Sequence, residues 1–383
     1  MSNSNFEQYT SIVGEKGSFA WYTIKKRLPA IIDRLIEQFH HDKNTGDKLS
    51  WLKDNVLHGK IDRHPATGPD VDNWGKYLKS YIGSSWIEVP FYFTEAYFYR
   101  LILDSVGFFE NGIDPFRNQK LNDLQEHQKQ LKAYWDKTIN ALSKGKEKAL
   151  VELLKVNLWG NKADLSQLNK DRSEEHGNEN LVNDSSIVIK QLSSGAGRLD
   201  IVLDNAGMEL FTDLLLSISL IRLGIAEQVI LHAKAYPTFV SDATFEDIDV
   251  ILNETLQIGI NDFPTHFKQY QNEGRIIIRS NEFWNAPLHF YEMPTDLHDD
   301  LADSDMIIFK GDANYRRIFG DRIIPPHTSL NTMTNYLPAK CLAIRILKSE
   351  IIVGLKPAKV KSLSVDDPDW MVSGKYGIIQ LLN

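Results

Sequence analysis

Two carboxylates and one amide occupy places in the sequence where a metal ion could be held. Asp204 and Asn205 directly follow the strand-like run 199–203, and Asp242 follows the next such run, just ahead of a helical stretch. The carboxyl ends of neighbouring strands in an open α/β sheet lie close together, so these side chains could share one ion. Carboxylate and amide oxygens suit Mg²⁺ or Mn²⁺, which leave positions open for water and substrate. Asp at such a junction is also a common helix N-cap, so a purely structural role stays open.

Polar and cationic side chains follow two later strand-like runs. After residues 306–309 comes Gly311, which permits close approach of the backbone to a ligand. Three donors that can hydrogen-bond a polar group come next: Asn314, Tyr315 and Arg316. The last strand-like run ends near Lys348, and a lysine there can act as a point charge for a phosphoryl oxygen. Each cation taken singly is more often solvated, but together with the metal-type oxygens they favour a phosphorylated ligand.

Two glutamates on predicted helices could complete the site. Glu209 lies in the first turn of the helix that follows Asp204, where it could support a metal-bound water or only interact with the helix dipole. Glu95 shares a helix face with Tyr99 in an aromatic run that is chiefly core. We expect this pair to line a substrate cleft between two parts of the chain.

The elements that must position these residues change character near residue 160. Apolar residues at three- and four-residue spacing over 23–39, 91–108 and 119–154 predict a helical N-terminal domain, residues 1–158. From 159 to 383, strand-like runs alternate with helix-length segments, which predicts parallel βαβ units. We therefore expect an α/β protein: a three-layer α/β/α, doubly wound and mainly parallel sheet preceded by a helical domain. The polar stretch 169–191 is expected to be an exposed connection.

Composition narrows the class of protein. The 383 residues are 42% hydrophobic and 25% charged, which is typical of a globular protein with a large core. The formal charge of −8 argues against a nucleic-acid partner. The single cysteine, Cys341, lies in an apolar run and is expected to be a buried structural thiol. With no leader pattern and no long apolar run, we expect no membrane partner and a cytoplasmic location, with a nuclear one also open.

Four ordered motifs resemble the signature of the metal-dependent damage-control phosphatases, formerly the domain of unknown function 89 superfamily. They occupy residues 204–210, 239–242, 310–316 and 345–348. The match is to the third subfamily, which includes proteins also described as protein-glutamate carboxyl methyltransferases. The likeness extends to residues 86–100 and 158–166, so it covers most of the chain.

The resemblance implies a helical region packed on an α/β/α sandwich, and hydrolysis of sugar phosphomonoesters such as fructose 1-phosphate and fructose 6-phosphate. It places the metal ligands at Asp204, Asn205 and Asp242, and the ion would be Mn²⁺ or Mg²⁺, with Co²⁺ and Ni²⁺ also open. Substrate contacts would come from Asp204, Asn205, Asp312, Ala313, Asn314, Tyr315, Arg316 and Lys348. Ile346 departs from the subfamily pattern, which usually has Thr after the arginine. Glu209 matches a residue that the methyltransferase description assigns to S-adenosylmethionine.

These residues predict a phosphatase for metabolite damage control, acting on a small phosphorylated sugar. Its catalytic residues would be Asp204, Asp242, Asp312 and Lys348, with metal-activated water as the nucleophile. An aspartyl phosphate on Asp204 stays open. Two other functions also stay open: an S-adenosylmethionine-dependent protein-glutamate O-methyltransferase, and a non-catalytic sugar-phosphate-binding module.

Overall fold

The computed structural model describes residues 4–160 and 179–383. Its helices are α1 Ser4–Glu7, α2 Phe19–Tyr22, α3 Leu28–Gln38, α4 Lys43–His58, α5 Val71–Leu78, α6 Phe91–Val106, α7 Phe108–Asn111, α8 Arg117–Glu126, α9 Gln128–Leu142, α10 Lys146–Trp159, α11 Ser185–Leu192, α12 Met208–Arg222, α13 Phe245–Gln257, α14 Asp262–Asn272, α15 Thr295–Ala302, α16 Gly311–Ile318, α17 Leu330–Thr334 and α18 Pro357–Asp366. A π-helix, Thr23–Arg27, joins α2 to α3, and two 3₁₀ helices span Glu282–Trp284 and Phe290–Glu292. The strands are β1 Glu179–Asn183, β2 Ala196–Val202, β3 Ala226–Ala233, β4 Ile276–Ser280, β5 Met306–Lys310, β6 Cys341–Ile346 and β7 Tyr376–Leu381.

The seven strands form one sheet in the order β1-β7-β6-β5-β2-β3-β4. Strands β2 to β6 run parallel, whereas β7 is antiparallel to β6 and carries β1 at the sheet edge. From β2 the chain moves outward to β3 and β4, and then crosses to β5 and β6 on the other side of β2. The winding direction therefore reverses between β2 and β5. Ligands of open α/β sheets bind outside the carboxyl ends of the strands at such a switch point.

Alternate side chains of the buried strands enter two different cores. Leu199 and Ile201 of β2 join a cluster formed with α10 to α14, while Val202 and Phe309 join a second cluster with α15 to α18. This period-two division, with apolar residues on both faces, requires helices above and below the sheet. The predicted three-layer α/β/α architecture is confirmed.

A third core holds the helical N-terminal region together. It runs from Ile12 to Phe116, and its centre is α6, of which all residues but Asp104 are buried. A helix that is buried on all its faces must be enclosed by its neighbours. Helices α8 to α10 belong elsewhere, because Leu124, Tyr134 and Leu150 lie in the sheet-face core. The domain boundary at residue 158 stays a prediction.

One expectation about local structure is confirmed and another is corrected. Residues 119–154 are helical, as predicted, and form most of α8, all of α9 and the greater part of α10. Residues 179–191 are not an exposed connection, since they form β1 and most of α11, whose Val188 is fully buried. A short, polar edge strand lacks the apolar run that marks a central strand. Residues 169–178 of the predicted connection, and 161–166 of the family-like motif, lie outside the described residues.

Two further observations concern composition. Cys341 is buried on β6, as predicted, and burial raises the pKa of its thiol. Within the described ranges, no helix is both long and apolar enough to cross a membrane.

Candidate active site

A cleft of about 420 Å³ opens at the carboxyl edge of the sheet, around the switch point between β2 and β5. Its floor is formed by the segments that follow β2, β3, β5 and β6. Its other wall comes from the helical region: Phe19, Arg27, Glu95 and Leu158. The expectation that these strand ends meet in one cleft beside the helical region is confirmed.

Backbone pairing brings the three expected metal ligands together. Asn205 and Asp242 form an isolated antiparallel bridge, in which Ala206 N–H donates to the Ser241 carbonyl at 2.6 Å. Ala243 N–H donates to the Asp204 carbonyl at 2.8 Å. The segments after β2 and β3 are thus fastened to each other, and we call residues 204–207 and 241–243 the paired loops. Asp204 and Asp242 are both buried and line the cleft.

Neither aspartate is a helix N-cap. The N-cap of α12 is Gly207, and the N-cap of α13 is Thr244, which forms a capping box with Asp247. The N-cap interpretation of Asp204 and Asp242 is therefore wrong, because Gly207 and Thr244 occupy the N-cap positions of the two helices.

The electrostatics of this corner suit a cation. Burial, followed by the charges of Glu209 and Asp242, raises the pKa of Asp204 well above its ordinary value. Burial likewise raises the pKa of Asp242, against the opposing charge of Lys234, whose ammonium lies 3.2 Å from Asp242 Oδ2. Carboxylates that repel one another in a desolvated site are stabilised when a divalent cation is bound between them.

The Asn205 amide forms hydrogen bonds with Asp204, Glu209 and Ser241. Asn205 Nδ2 donates to Asp204 Oδ2 at 2.9 Å and to Glu209 Oε2 at 3.0 Å, while Asn205 Oδ1 accepts from the Ser241 hydroxyl at 2.5 Å. A half-turn of the amide would present Oδ1 beside Asp204, and the serine hydroxyl could then accept instead of donate. The residues fit a hard divalent ion with two carboxylates and one amide. Among residues 4–160 and 179–383, no group made of three or more His, Cys, Asp or Glu side chains could hold a metal ion.

Gly311 leaves the room that Asp204 needs. Its φ is +74°, and a Cβ built there would lie 1.7 Å from Asp204 Oδ2. Only glycine can combine this backbone conformation with such close approach. The first turn of α16 therefore lies directly against the proposed metal ligand.

The start of α16 and the end of β6 supply the opposite side of the floor. Asp312 Oδ1 accepts from Arg345 Nη1 at 3.0 Å and from the Lys348 backbone N–H at 3.1 Å. Lys348 itself is exposed and lines the cleft. The structure thus places Asp312, Ala313 and Lys348 beside the paired loops.

Arg316 lines the cleft but is held by two acids. Its Nε and Nη2 donate to both carboxylate oxygens of Asp321, and its Nη1 donates to Glu95 Oε2 at 2.7 Å. Burial raises the pKa of Glu95, and the Arg316 charge opposes that rise. The guanidinium that sequence reasoning assigned to phosphate is thus committed to joining α6 to α16.

Asn314 and Tyr315 are not brought to the cleft. The Asn314 amide donates to the carbonyls of Leu203 and Lys310, and the Tyr315 hydroxyl donates to Gln380 from within the second core. One face of α16 meets the cleft and carries residues 312, 313 and 316. Asn314 and Tyr315 lie between them in the sequence and point inward.

Sequence reasoning missed several residues that the fold places here. Lys310 is 1% exposed, lines the cleft and lies 3.1 Å from Asp213 and 3.7 Å from Glu209. Burial raises the pKa of Asp213 to about 7, with Lys310 opposing. The sequence signal that could have revealed Lys310 is its position at the end of the apolar run 306–309, since lysine is rarely buried.

Two other residues come from distant segments. Arg27 ends the π-helix and lines the cleft, and π-turns are frequent at functional sites. Lys120 of α8 is buried and donates to the Asp242 carbonyl at 2.9 Å. No local pattern in the sequence links either residue to the sheet edge. The roles that sequence analysis gave to Asp204, Asn205, Asp242, Asp312 and Lys348 stay predictions.

Comparison with known proteins decides the family. The family model of the damage-control phosphatase ARMT1-like domain matches residues 23–363. This chain belongs to that family. The match contains every residue that sequence analysis placed at the site.

Relatives of the family match over nearly their whole length. "Damage-control phosphatase ARMT1" of Xenopus tropicalis is 33% identical, covering 96% of this chain and 97% of the relative. The protein of the same name from Danio rerio is 31% identical, with 95% of each covered, and that from Homo sapiens is 30% identical, with 95% and 96% covered. A crystal structure of a DUF89 family protein from Pyrococcus horikoshii has a TM-score of 0.50 at 14% identity and covers 94% of this chain and 98% of that one. The archaeal likeness supports the DUF89 fold, and the animal relatives support the ARMT1-like family.

Proposed function

We propose that this ARMT1-like chain is a metal-dependent phosphatase that hydrolyses sugar phosphomonoesters of the fructose 1-phosphate and fructose 6-phosphate type. The observation that carries the proposal is the joining of Asp204, Asn205 and Asp242 by the paired loops, beside Lys348 and the start of α16. The names of the relatives support a metabolite-repair phosphatase.

Asp204, Asn205 and Asp242 would hold a divalent ion, Mn²⁺ or Mg²⁺, with Co²⁺ and Ni²⁺ as further candidates. When bound, such an ion polarises a phosphoryl oxygen and lowers the pKa of a coordinated water towards neutrality. Lys234 stays close to Asp242, and its positive charge favours the ionised carboxylate that a metal ligand requires.

Two features of the chain would bind the phosphoryl group. Lys348 reaches the cleft from the end of β6, where its ammonium can neutralise a phosphoryl oxygen. The N-terminus of α16 presents first-turn backbone N–H groups at Gly311, Asp312 and Ala313 to the same space. Little covalent chemistry is asked of the protein, because phosphoryl transfer is catalysed mainly by positioning and charge stabilisation.

Asp312 would assist departure of the leaving oxygen. Arg345 and the Lys348 N–H hold its Oδ1, which leaves Oδ2 to orient a sugar hydroxyl or to carry a proton. Glu209 would hold Asn205 in place through its Oε2. Arg316 would set the position of Glu95 on the cleft wall.

The alternatives have weaker support in the described residues. An aspartyl phosphate on Asp204 is disfavoured, because a carboxylate that would hold the ion is a poorer nucleophile. The methyltransferase alternative calls for a glycine-rich nucleoside loop after the first parallel strand, where this chain has Asp204-Asn205-Ala206-Gly207. A non-catalytic binding module would have little need for an open carboxylate-held cation.

The test is a panel of sugar phosphates and an aryl phosphate, each assayed with Mg²⁺, Mn²⁺, Co²⁺ and Ni²⁺. We expect chelator-sensitive turnover, and a roughly ten- to hundredfold lower kcat for Lys348→Ala on both substrate types, because its contact strengthens in the transition state. Lys356→Ala removes an exposed lysine outside the cleft and serves as control. Absence of turnover with every metal would refute the proposal, and a loss confined to the sugar would make Lys348 a recognition residue.

A further inference from the structure

Phe239 has an unusual backbone conformation at the edge of the cleft. Its φ is +44°, and among the described residues only one other non-glycine residue, Asp321, has a positive φ. A large side chain disfavours this conformation, which persists only where the surroundings impose it. Asn285 fastens the segment just before Phe239, because its amide donates to the Tyr236 carbonyl at 2.8 Å and to the Thr238 hydroxyl at 2.6 Å.

The conformation holds the Phe239 ring against the helical region. Its centroid lies 5.7 Å from that of Tyr92 and 5.3 Å from that of Tyr99, and both tyrosines are buried on α6. Phe239 remains partly exposed and lines the cleft, three residues before Asp242. A rigid aromatic surface is therefore fixed beside the proposed metal ligands.

A second ring lines the same cleft from the helical region. Phe19, the first residue of α2, is partly exposed and packs edge-on against buried Phe91, with centroids 6.1 Å apart. The Arg27 guanidinium lies 5.8 Å from the Phe19 centroid and also lines the cleft. Two aromatic side chains and a hydrogen-bond donor thus face the charged floor.

We propose that Phe19 and Phe239 form an aromatic subsite that binds the ring face of a cyclic sugar phosphate, with Arg27 donating to ring hydroxyls. The inference rests on the proposed function and specifies its substrate class. An inorganic phosphate or a short acyclic phosphoester offers no apolar C–H face to such rings. A ring is preorganised, whereas an open polyol chain loses torsional freedom when it is bound against a flat surface. Aromatic side chains supply large, rigid contact area at low entropic cost.

The test compares one cyclic and one acyclic substrate in each variant, at the same Mn²⁺ concentration. For Phe239→Leu and Phe19→Leu we expect the Michaelis constant for fructose 6-phosphate to rise about five- to tenfold, with kcat unchanged. The Michaelis constant for glycerol 3-phosphate should change less than about twofold, since the lost ring faces made no contact with it. Phe239→Tyr should keep the wild-type preference because the ring is retained.

Phe245→Leu is the matched control, since Phe245 is exposed at the start of α13 and lies outside the cleft. Equal losses on both substrates, or none on either, would overturn the subsite. If the wild type hydrolyses neither compound with any of the four metals, the proposed function fails. Calorimetric binding of fructose 6-phosphate then decides the subsite: weaker binding to Phe239→Leu than to Phe245→Leu supports it, and equal binding overturns it.

Discussion

At the scale of single residues, Asp204 is a carboxyl group in a buried site where its ionised form is unfavourable. It is 5% exposed, and burial raises its pKa well above the ordinary value; the charges of Glu209, Asp242 and Asp312 raise it further, and the charge of Lys234 opposes them. A folded-state pKa above the unfolded one means that the native protein binds the proton more tightly. Stability is then present at low pH and lost as the pH rises from the unfolded pKa through the folded one.

Asp204→Asn should therefore separate function from stability. We expect at least about a hundredfold loss of metal-dependent turnover, because a charged ligand of the ion is lost. With a chelator present, the melting temperature of the variant at pH 8 should equal or exceed that of the wild type. The difference between the two melting temperatures should be smaller at pH 5. Thermal unfolding at the two pH values measures this, with the exposed Asp249→Asn as control. A variant that is less stable than wild type at pH 8 would contradict the charge argument.

Gly311 shows the importance of an absent side chain. Gly311→Ala should cost stability through its positive φ and also displace Asp204, because the new Cβ would overlap the carboxylate. Gly259→Ala pays the same backbone cost of about 1 kcal/mol, at φ +79°, with nothing within 4 Å of its Cβ. Calorimetry should show much weaker Mn²⁺ binding for the first variant only. Similar binding by both would mean that the loop moves to accept the methyl group.

At the scale of elements, α8 reaches the paired loops through one lysine. Lys120 Nζ lies 2.8 Å from Asp247, 3.0 Å from Asp114 and 2.9 Å from the Asp242 carbonyl oxygen. Asp247 is also the capping-box residue of α13. One buried ammonium therefore fixes the start of α13 and the backbone of a proposed metal ligand.

Lys120→Met should weaken Mn²⁺ binding by about tenfold or more, the usual effect of losing a group that positions a ligand. Stability should fall as well, since two acids lose their partner. Lys137→Met breaks a partly exposed ion pair with Glu152 away from the cleft and controls for loss of charge. Titration with Mn²⁺ reads the affinity directly. If stability alone falls, Lys120 acts only within its ion pairs.

At the scale of the whole molecule, buried ion pairs join the helical region to the sheet. Arg316 of α16 bonds Glu95 of α6 and Asp321, and Asp321 also accepts from the Tyr92 backbone N–H at 2.9 Å. A second connection joins the helical region to the segment after β3: the Tyr236 hydroxyl donates to Asp70, which pairs with Arg100 at 2.9 Å. Arg316 and Glu95 line the cleft, so the first connection forms part of its wall.

Arg316→Met should lower the free energy of unfolding by about 3–5 kcal/mol, because Glu95 and Asp321 are left buried without their cation. The loss should be smaller at pH 5 than at pH 8, since burial raises the pKa of Glu95 and removal of the opposing Arg316 charge raises it further. Urea unfolding of the single variant and of Arg316→Met/Glu95→Gln measures the charge contribution. The double variant should recover part of the loss, and failure to recover any would assign the effect to packing.

The sequence alone determined the features that follow from local rules. Strand-like runs alternating with helical segments predicted the α/β/α layers, because periodicity directly reports which faces are buried. The placing of Asp204, Asn205 and Asp242 at one edge followed from parallel strands, whose carboxyl ends point the same way. The edge strand β1 was missed for the same reason, since none of its residues is fully buried and its periodicity is weak.

Only the tertiary structure decided which side chains reach the cleft. A segment expected as a loop or helix start became α16, so Asp312 and Arg316 face the site while Asn314 and Tyr315 turn into the core. Arg316 found acids from α6 and from its own C-terminal side, which no local pattern predicts. Phe19, Arg27 and Lys120 come from segments 80 or more residues before the paired loops. Long-range packing brings them there, and sequence spacing carries no record of contacts made across separate elements.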